Sequence, residues 1–356
     1  MKIGFITRTL GSFKQALRRS LRRRQTLKPT VHWVLGKRYQ AHLEVAEWRS
    51  RLGAKIAGSE SFDRPNAVNP ENMIWVFGIG RSGNTWLLDM VRGVGNHQTW
   101  DEPYVGRLFG EFYLQHATAG TLSRVNFIMG DPTRKGWTKS IRNFVLDGAS
   151  YSHPRLGPGD YLVIGEHNSS VGAPLLMEAL PESRMILLVR DPRDVIASNL
   201  DGARKGGWLH QWREKGEEEY HALAEKKPNV YVQELAEKYL HEVGLAKQAY
   251  DSHKGRKVLV RYEDLRADTL STMQRIYSTL EIPVNDEKLA QVVAKYSWEN
   301  VPEKDKGKGK FTRKATPGGW KEDLTTEQAR IIEEETAPLL REFYYAASAN
   351  SDSSER

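Results

Sequence analysis

The stretch MIWVFGIGRSGNTWLL, Met73 to Leu88, decides the fold. Its first five residues are an unbroken apolar run, the pattern of a strand buried on both faces. Gly78, Gly80 and Gly83 follow, and a helical pattern runs from Trp86 to Val94. A strand, a glycine-rich turn and a helix start gather backbone N–H groups at the positive end of a helix, which makes an anion site. Ser82, Asn84 and Thr85 add short polar groups at its mouth. The spacing nearly spells the triphosphate loop G-x-x-x-x-G-K-[ST], with Gly78, Gly83 and Thr85 in place. Asn84 stands where the lysine belongs. Kinases and ATPases use that lysine on the β- and γ-phosphates. The cation here is Arg81, inside the loop, which turns the expectation away from ATP.

Three more apolar runs lie further along: 161–165 (YLVIG), 185–189 (MILLV) and 258–262 (VLVRY). Helical patterns occupy 172–180, 192–204, 233–252, 270–280, 286–296 and 326–343, the last capped by Thr325 or Thr326. The alternation predicts an α/β three-layer sandwich, with a central, mainly parallel sheet, helices on both faces and a P-loop NTPase-like topology. Region 97–160 is rich in aromatics and glycine but weakly periodic, and reads as an insertion that shapes a pocket. Segment 206–229 reads as a charged, loop-rich stretch.

The strand 185–189 runs into RDPRDVIAS, Arg190 to Ser198. Pro192 suits the first turn of a helix and Asp194 its positive end. Arg190 sits at the carboxyl end of the strand, where open α/β sheets bind ligands. It offers a forked cation to a phosphate, and Ser198, two turns on, a hydroxyl. Arg193 and Asp194 fit ordinary ion pairs. A third basic segment, 304–321 (KDKGKGKFTRKATPGGWK), sets six Lys/Arg between Lys304 and Lys314 among glycines. That make-up suits a lid ordered by phosphate, and also a nucleic-acid loop.

The chain has 356 residues, enough for one large α/β domain with an extension. It has no cysteine, so disulfides, thiolate metal sites and a cysteine nucleophile are excluded. The ten histidines are scattered, and no metal is expected. The net charge of +8 is uneven: residues 1–55 hold 14 basic and 2 acidic side chains. This arm suits an anionic membrane surface or nucleic acid. The plainer reading packs it on the domain through Leu17, Leu21, Trp33 and Leu35. No apolar run reaches signal-peptide or membrane-span length, so the expectation is cytoplasmic, with peripheral membrane contact through the arm. The organisation read from the sequence is a basic, helical extension over 1–58, a linker over 59–72, one domain over 73–347 and a disordered tail over 348–356.

Together the three basic segments resemble the sulfotransferases that use 3′-phosphoadenosine 5′-phosphosulfate (PAPS). The family's 5′-phosphosulfate loop resembles Arg81-Ser-Gly-Asn-Thr-Trp-Leu87, its 3′-phosphate Arg and Ser match Arg190 and Ser198, and its C-terminal motif is similar to Arg313-Lys-Ala-Thr-Pro-Gly-Gly-Trp-Lys321. The resemblance implies PAPS as co-substrate and 3′-phosphoadenosine 5′-phosphate (PAP) as product. It implies Arg81 at the bridging oxygen and Ser82, Gly83, Asn84 and Thr85 around the phosphosulfate. It further implies Trp86 on adenine, and Arg190, Ser198, Arg313 and Lys314 at the 3′-phosphate. Three positions depart from it: Asn84 for threonine, Ala315 for a glycine and Gly319 for an aspartate.

Sulfuryl transfer needs a base for the acceptor's proton. His167, in GEHN after the third strand, and Glu102, in WDEPY, are rival candidates, with Glu166 a third. Family members carry a histidine in a K-T-H segment at the first place; here Gly165 holds the lysine's position. The balance leans to His167, since imidazole titrates near neutrality. The acceptor is expected to be a hydroxyl (or amine) on a small molecule, lipid or carbohydrate. Trp100, Tyr104, Phe109, Phe112, Tyr113, Trp137, Trp208 and Trp212 are candidate lining. The rival classes are a P-loop kinase or NTPase with a degenerate loop, and a binder of membrane or nucleic acid through the arm. No specific nucleic acid is expected, and the oligomeric state is open.

Overall fold

The computed structural model describes residues 68–343 and 345, except 96 and 210–217. The basic arm, residues 59–67 of the linker, the tail and Trp212 lie outside the described residues. Five strands form one sheet: β1 (Met73–Phe77), β2 (Gln98–Asp101), β3 (Leu162–Gly165), β4 (Arg184–Val189) and β5 (Lys257–Arg261). Their order is β2-β3-β1-β4-β5, and every pairing is parallel. The strands read as apolar runs are β1, β3, β4 and β5.

Alternation along β1 feeds two cores. Met73, Trp75 and Phe77 pack on one face with α3 (Arg134–Ser152), α4 (Ala173–Ala179), α7 (Pro228–Ser252) and α11 (Thr326–Glu342). Ile74 and Val76 pack on the other with α1 (Asn84–Val94), α9 (Thr269–Thr279) and α10 (Asp286–Lys295). The result is the expected three-layer sandwich. Each aliphatic or Phe side chain so buried contributes about 1.5–3 kcal/mol. Local chemistry starts the helices: Asp191 caps α5 (Pro192–Ala203) through the Arg193 N–H at 2.9 Å, and Thr325 closes a capping box with Gln328 on α11.

Region 97–160 is more regular than its sequence pattern. It supplies the edge strand β2, the helix α2 (Val105–His116) and the nineteen-residue α3. Within 206–229, Glu218–Lys226 is helix α6, and α7 starts at Pro228. Two short elements complete the described helices used below, α8 (Tyr262–Ala267) and the single turn Trp320–Asp323. No helix among the described residues is long and apolar enough to cross a membrane.

Candidate functional site

Parallel strands all end on one edge, and that edge collects the candidate loops and the candidate bases. β1 and β4 are neighbours, so Gly78–Trp86 and Arg190–Ser198 lie side by side. β2 and β3 are neighbours, with Asp101 opposite Gly165, so Glu102 and His167 leave the sheet together.

The first loop is built tightly. A β-carbon on Gly78 would stand 2.4 Å from the Leu188 carbonyl oxygen, so only glycine lets β1 turn against β4. Gly83 has φ of 93°, in the left-handed region, and faces the Tyr262 ring. The Asn84 amide donates to the Ile79 carbonyl at 2.8 Å and ties the loop to the helix start. Thr85 is exposed at the mouth, and the Trp86 indole donates to the Tyr296 carbonyl at 2.8 Å. Ser82 Oγ and Asn84 Oδ1 are buried polar atoms without a hydrogen-bond partner. Buried groups of that kind are few in folded chains, and here they sit where an anion would bind.

Arg81 joins the two candidate anion sites. Its own φ is 73°, unusual for a side-chain-bearing residue. Its Nε donates to Ser198 Oγ at 3.0 Å, and its carbonyl accepts from Arg190 Nη1 at 3.1 Å. The guanidinium lies between Trp208 and Phe311, 4.7 and 4.4 Å from the ring centres, and bonds the Phe311 carbonyl. Burial, then repulsion from Arg190 and Arg313, pushes Arg81 down to about 10. It stays charged at neutral pH. Arg190 stacks over Tyr262 at 4.1 Å and leaves its Nε buried without a partner.

The segment 304–321 folds over this edge. Gly309 donates to Asp201 at 2.7 Å, and Trp208 donates to the Gly309 carbonyl at 2.9 Å. Asp194, fully buried, accepts from Gly318 at 2.7 Å and Trp320 at 2.9 Å. Arg313 pairs with Asp323 at 2.7 Å, and Lys314 with Glu322 and Asp323 at 2.8 and 3.0 Å. Two departures from the family pattern acquire reasons. Ala315 has φ of 53°, so the alanine keeps a glycine-like backbone. Gly319 approaches Asp194, and an aspartate there would set two carboxylates together. Arg193 pairs with Asp191 and Glu333 and stacks over Trp320 at 4.3 Å, away from the loop.

The two rival bases form one unit. His167 Nε2 lies 2.8 Å from Glu102 Oε1. The Asn168 amide donates to the same oxygen, and the Tyr104 hydroxyl donates to Oε2 at 3.1 Å. Glu102 and Tyr104 both hold positive φ, 50° and 59°, a cost that clusters at functional positions. The side chain of Glu102 is 23% exposed and that of His167 11%, and His167 Nδ1 is buried. Asn168 also abuts Gly80, so the pair adjoins the first loop. The third candidate is Glu166. It is fully buried and accepts from Val105 N–H at 2.9 Å, which holds the start of α2. At Gly165, a β-carbon would meet Asp101 Oδ1 at 2.7 Å and Leu88 Cδ1 at 2.9 Å, so a lysine has no room.

The aromatic residues divide. Trp137 is core, and its indole donates to the Gly130 carbonyl at 3.0 Å. Trp100, Phe109 and Tyr113 pack against the same core. Trp208 belongs to the Arg81 side, while Tyr104 and Phe112 are exposed. Asn168, the bond from Tyr104 to Glu102 and the clamping by Asp194 were not foreseen in the sequence, which offered Tyr104 only as pocket lining. Asn168 had one signal, its place directly after His167.

The sulfotransferase-domain family model matches residues 71–343, and the chain belongs to that family. It is therefore an enzyme of the sulfotransferase class. Solved structures similar to it include a mouse sulfotransferase complexed with PAP, with 15% identity, 78% of this chain and 87% of that chain covered, and a TM-score of 0.46. A sulfotransferase from Mycobacterium avium has 14% identity, 96% and 86% coverage and a TM-score of 0.45. One from Alicyclobacillus acidocaldarius has 12% identity, 79% and 98% coverage and a TM-score of 0.41. No curated protein matches the chain.

Proposed function

We propose that the chain transfers a sulfuryl group from PAPS to a hydroxyl acceptor by in-line displacement. The observation that carries this is the link through Arg81, whose Nε bonds Ser198 while Arg190 bonds its carbonyl. Two anion sites joined by one cation suit a nucleotide with phosphates at both its 5′ and 3′ ends. The partnerless Ser82 Oγ, Asn84 Oδ1 and Arg190 Nε fit such a ligand. In this reading Ser82, Gly83, Asn84 and Thr85 hold the 5′-phosphosulfate, and Trp86 offers a ring to the adenine. Arg190, Ser198, Arg313 and Lys314 take the 3′-phosphate. Arg313 and Lys314 exchange Asp323 and Glu322 for it, or share them with it.

The acceptor oxygen forms a bond to sulfur as the sulfur–oxygen bond to the 5′-phosphate breaks. Arg81 stabilises the charge that builds on the departing oxygen. The acceptor's proton passes to the Glu102–His167 pair, entering at Glu102, the more exposed member. His167, Asn168 and Tyr104 hold that carboxylate in place. Positioning and fixed charge then supply most of the rate.

Calorimetry with PAP, and separately with ATP and magnesium, tests the reading. PAP should bind the tighter of the two. Tighter ATP binding would restore the kinase or NTPase reading and sink this one.

A further inference from the structure

Seven of the nine large apolar side chains exposed among the described residues lie between Tyr104 and Tyr151. Tyr104, Leu108 and Phe112 recur every fourth residue at the start and along one side of α2. Val125 and Ile128, in the loop that follows, are 76% and 73% exposed. Ring contacts link α2 to its neighbours: Phe112 stacks on Phe127 with ring centres 6.2 Å apart, and Phe109 meets the exposed Phe144 at 5.4 Å. Contiguous exposure of this kind marks an interaction surface. It reaches the candidate active site directly, because the Tyr104 hydroxyl bonds Glu102.

The charge around it has a sign. Residues 104–155 hold seven basic and three acidic side chains, of which Arg134 and Arg142 pair with Glu178 and Glu182 outside that stretch, while the rest of 56–356 holds 32 basic and 40 acidic. Arg124, next to Val125, is exposed, as are Lys135 and Lys139 at the start of α3. An apolar face on a basic segment complements an anionic lipid surface. The basic arm of residues 1–55 has the same sign, which disfavours it as the cover and suits it to the same surface.

We propose that this face docks on an anionic lipid bilayer, with the side chains of α2 and the following loop entering the headgroup region. The Glu102–His167 pair then faces the membrane. That orientation rests on the reading of the pair given above, whereas docking itself does not.

Vesicle sedimentation of the full chain tests it, using phosphatidylcholine alone and phosphatidylcholine with about 30% phosphatidylserine. The protein should sediment with the anionic vesicles and be released by salt. Leu108→Asp/Ile128→Asp should lower that partition at least about tenfold. Val125→Asp alone should act in the same direction and less strongly. PAP titration of the same samples should give unchanged affinity, which separates failure of docking from failure of the nucleotide reading. Four results overturn the proposal. Two are failure to recover the wild type with anionic vesicles and partition of the double variant equal to that of the wild type. The double variant's Tm falling by more than about 5 °C would mean that the chain covers its own patch. A wild-type dimer that the double variant converts to monomer would mean that a second copy covers it.

Discussion

Nε2 of His167 lies 2.8 Å from Oε1 of Glu102. Burial alone raises the Glu102 carboxyl. The hydrogen bond and charge of His167, with the hydrogen bonds from Tyr104 and Asn168, outweigh it and hold the carboxyl below its usual range. An acid held low is ionised, and able to accept a proton, until pH falls through its depressed value. The acid limb of kcat/KM should therefore lie below the ordinary glutamate value of about 4.3, whereas a lone imidazole base would lose activity near about 6.5. Glu102→Gln should slow single-turnover transfer at least about 100-fold, the usual scale for a general base, and leave PAP affinity unchanged. An acid limb near neutrality that Glu102→Gln leaves in place would return the role to His167.

Arg81 is the second test. It is packed with Arg190 and Arg313, and the mutual repulsion is relieved by an anion placed among them. Removing one charge-assisted hydrogen bond costs about 1.5–3 kcal/mol, so Arg81→Ala should weaken PAP binding about 10- to 150-fold. Arg81→Lys should recover only part, because an ammonium neither forks nor stacks between Trp208 and Phe311 as a guanidinium does. Calorimetry on both variants measures this. Full recovery by lysine would show that charge alone matters at this position.

Gly165 offers a test of packing. Its absent β-carbon leaves the space that Asp101 Oδ1 and the buried Leu88 fill. Gly165→Ala must push them apart, and overpacking of that kind costs about 1–3 kcal/mol. A lowered Tm should come with slower transfer, because Asp101 leads directly into Glu102. An unchanged Tm would mean that β2 yields freely at this point.

The strand, turn and helix start of the first candidate anion loop were legible because they are local in sequence, following one another within the sixteen residues Met73–Leu88. β1 and β4 were legible because strands buried on both faces need unbroken apolar runs. β2 was not. It is a four-residue edge strand, QTWD, partly exposed throughout, and it carries no such run. Only its parallel pairing sets Asp101 opposite Gly165, so Glu102 and His167 read as rivals rather than partners. α2 and α3 were hidden for a related reason. Their aromatics fall on buried and exposed sides alike, which blurs the helical period: Trp137 is buried, while Phe112 and Phe144 are exposed.

Glu166 separates stability from catalysis. Burial, partly offset by the polar neighbours Ser169 and Gly106 and the hydrogen bond from Val105, pushes its carboxyl up to about 7. The unfolded chain releases that proton at the ordinary glutamate value of about 4.3. Between those two values the folded state keeps a proton that the unfolded state has lost. Stability therefore falls as pH rises through the window, by about 4 kcal/mol on the relation of 1.36 kcal/mol per pH unit. Glu166→Gln retains an oxygen for the Val105 N–H and has nothing to titrate. Urea unfolding at several pH values should show the wild type losing stability relative to this variant from about pH 4.5 to 7. Transfer by the variant at neutral pH should remain within about tenfold of the wild type, below the 10²–10⁴ loss that removal of a general base produces. A larger loss would return Glu166 to the list of bases.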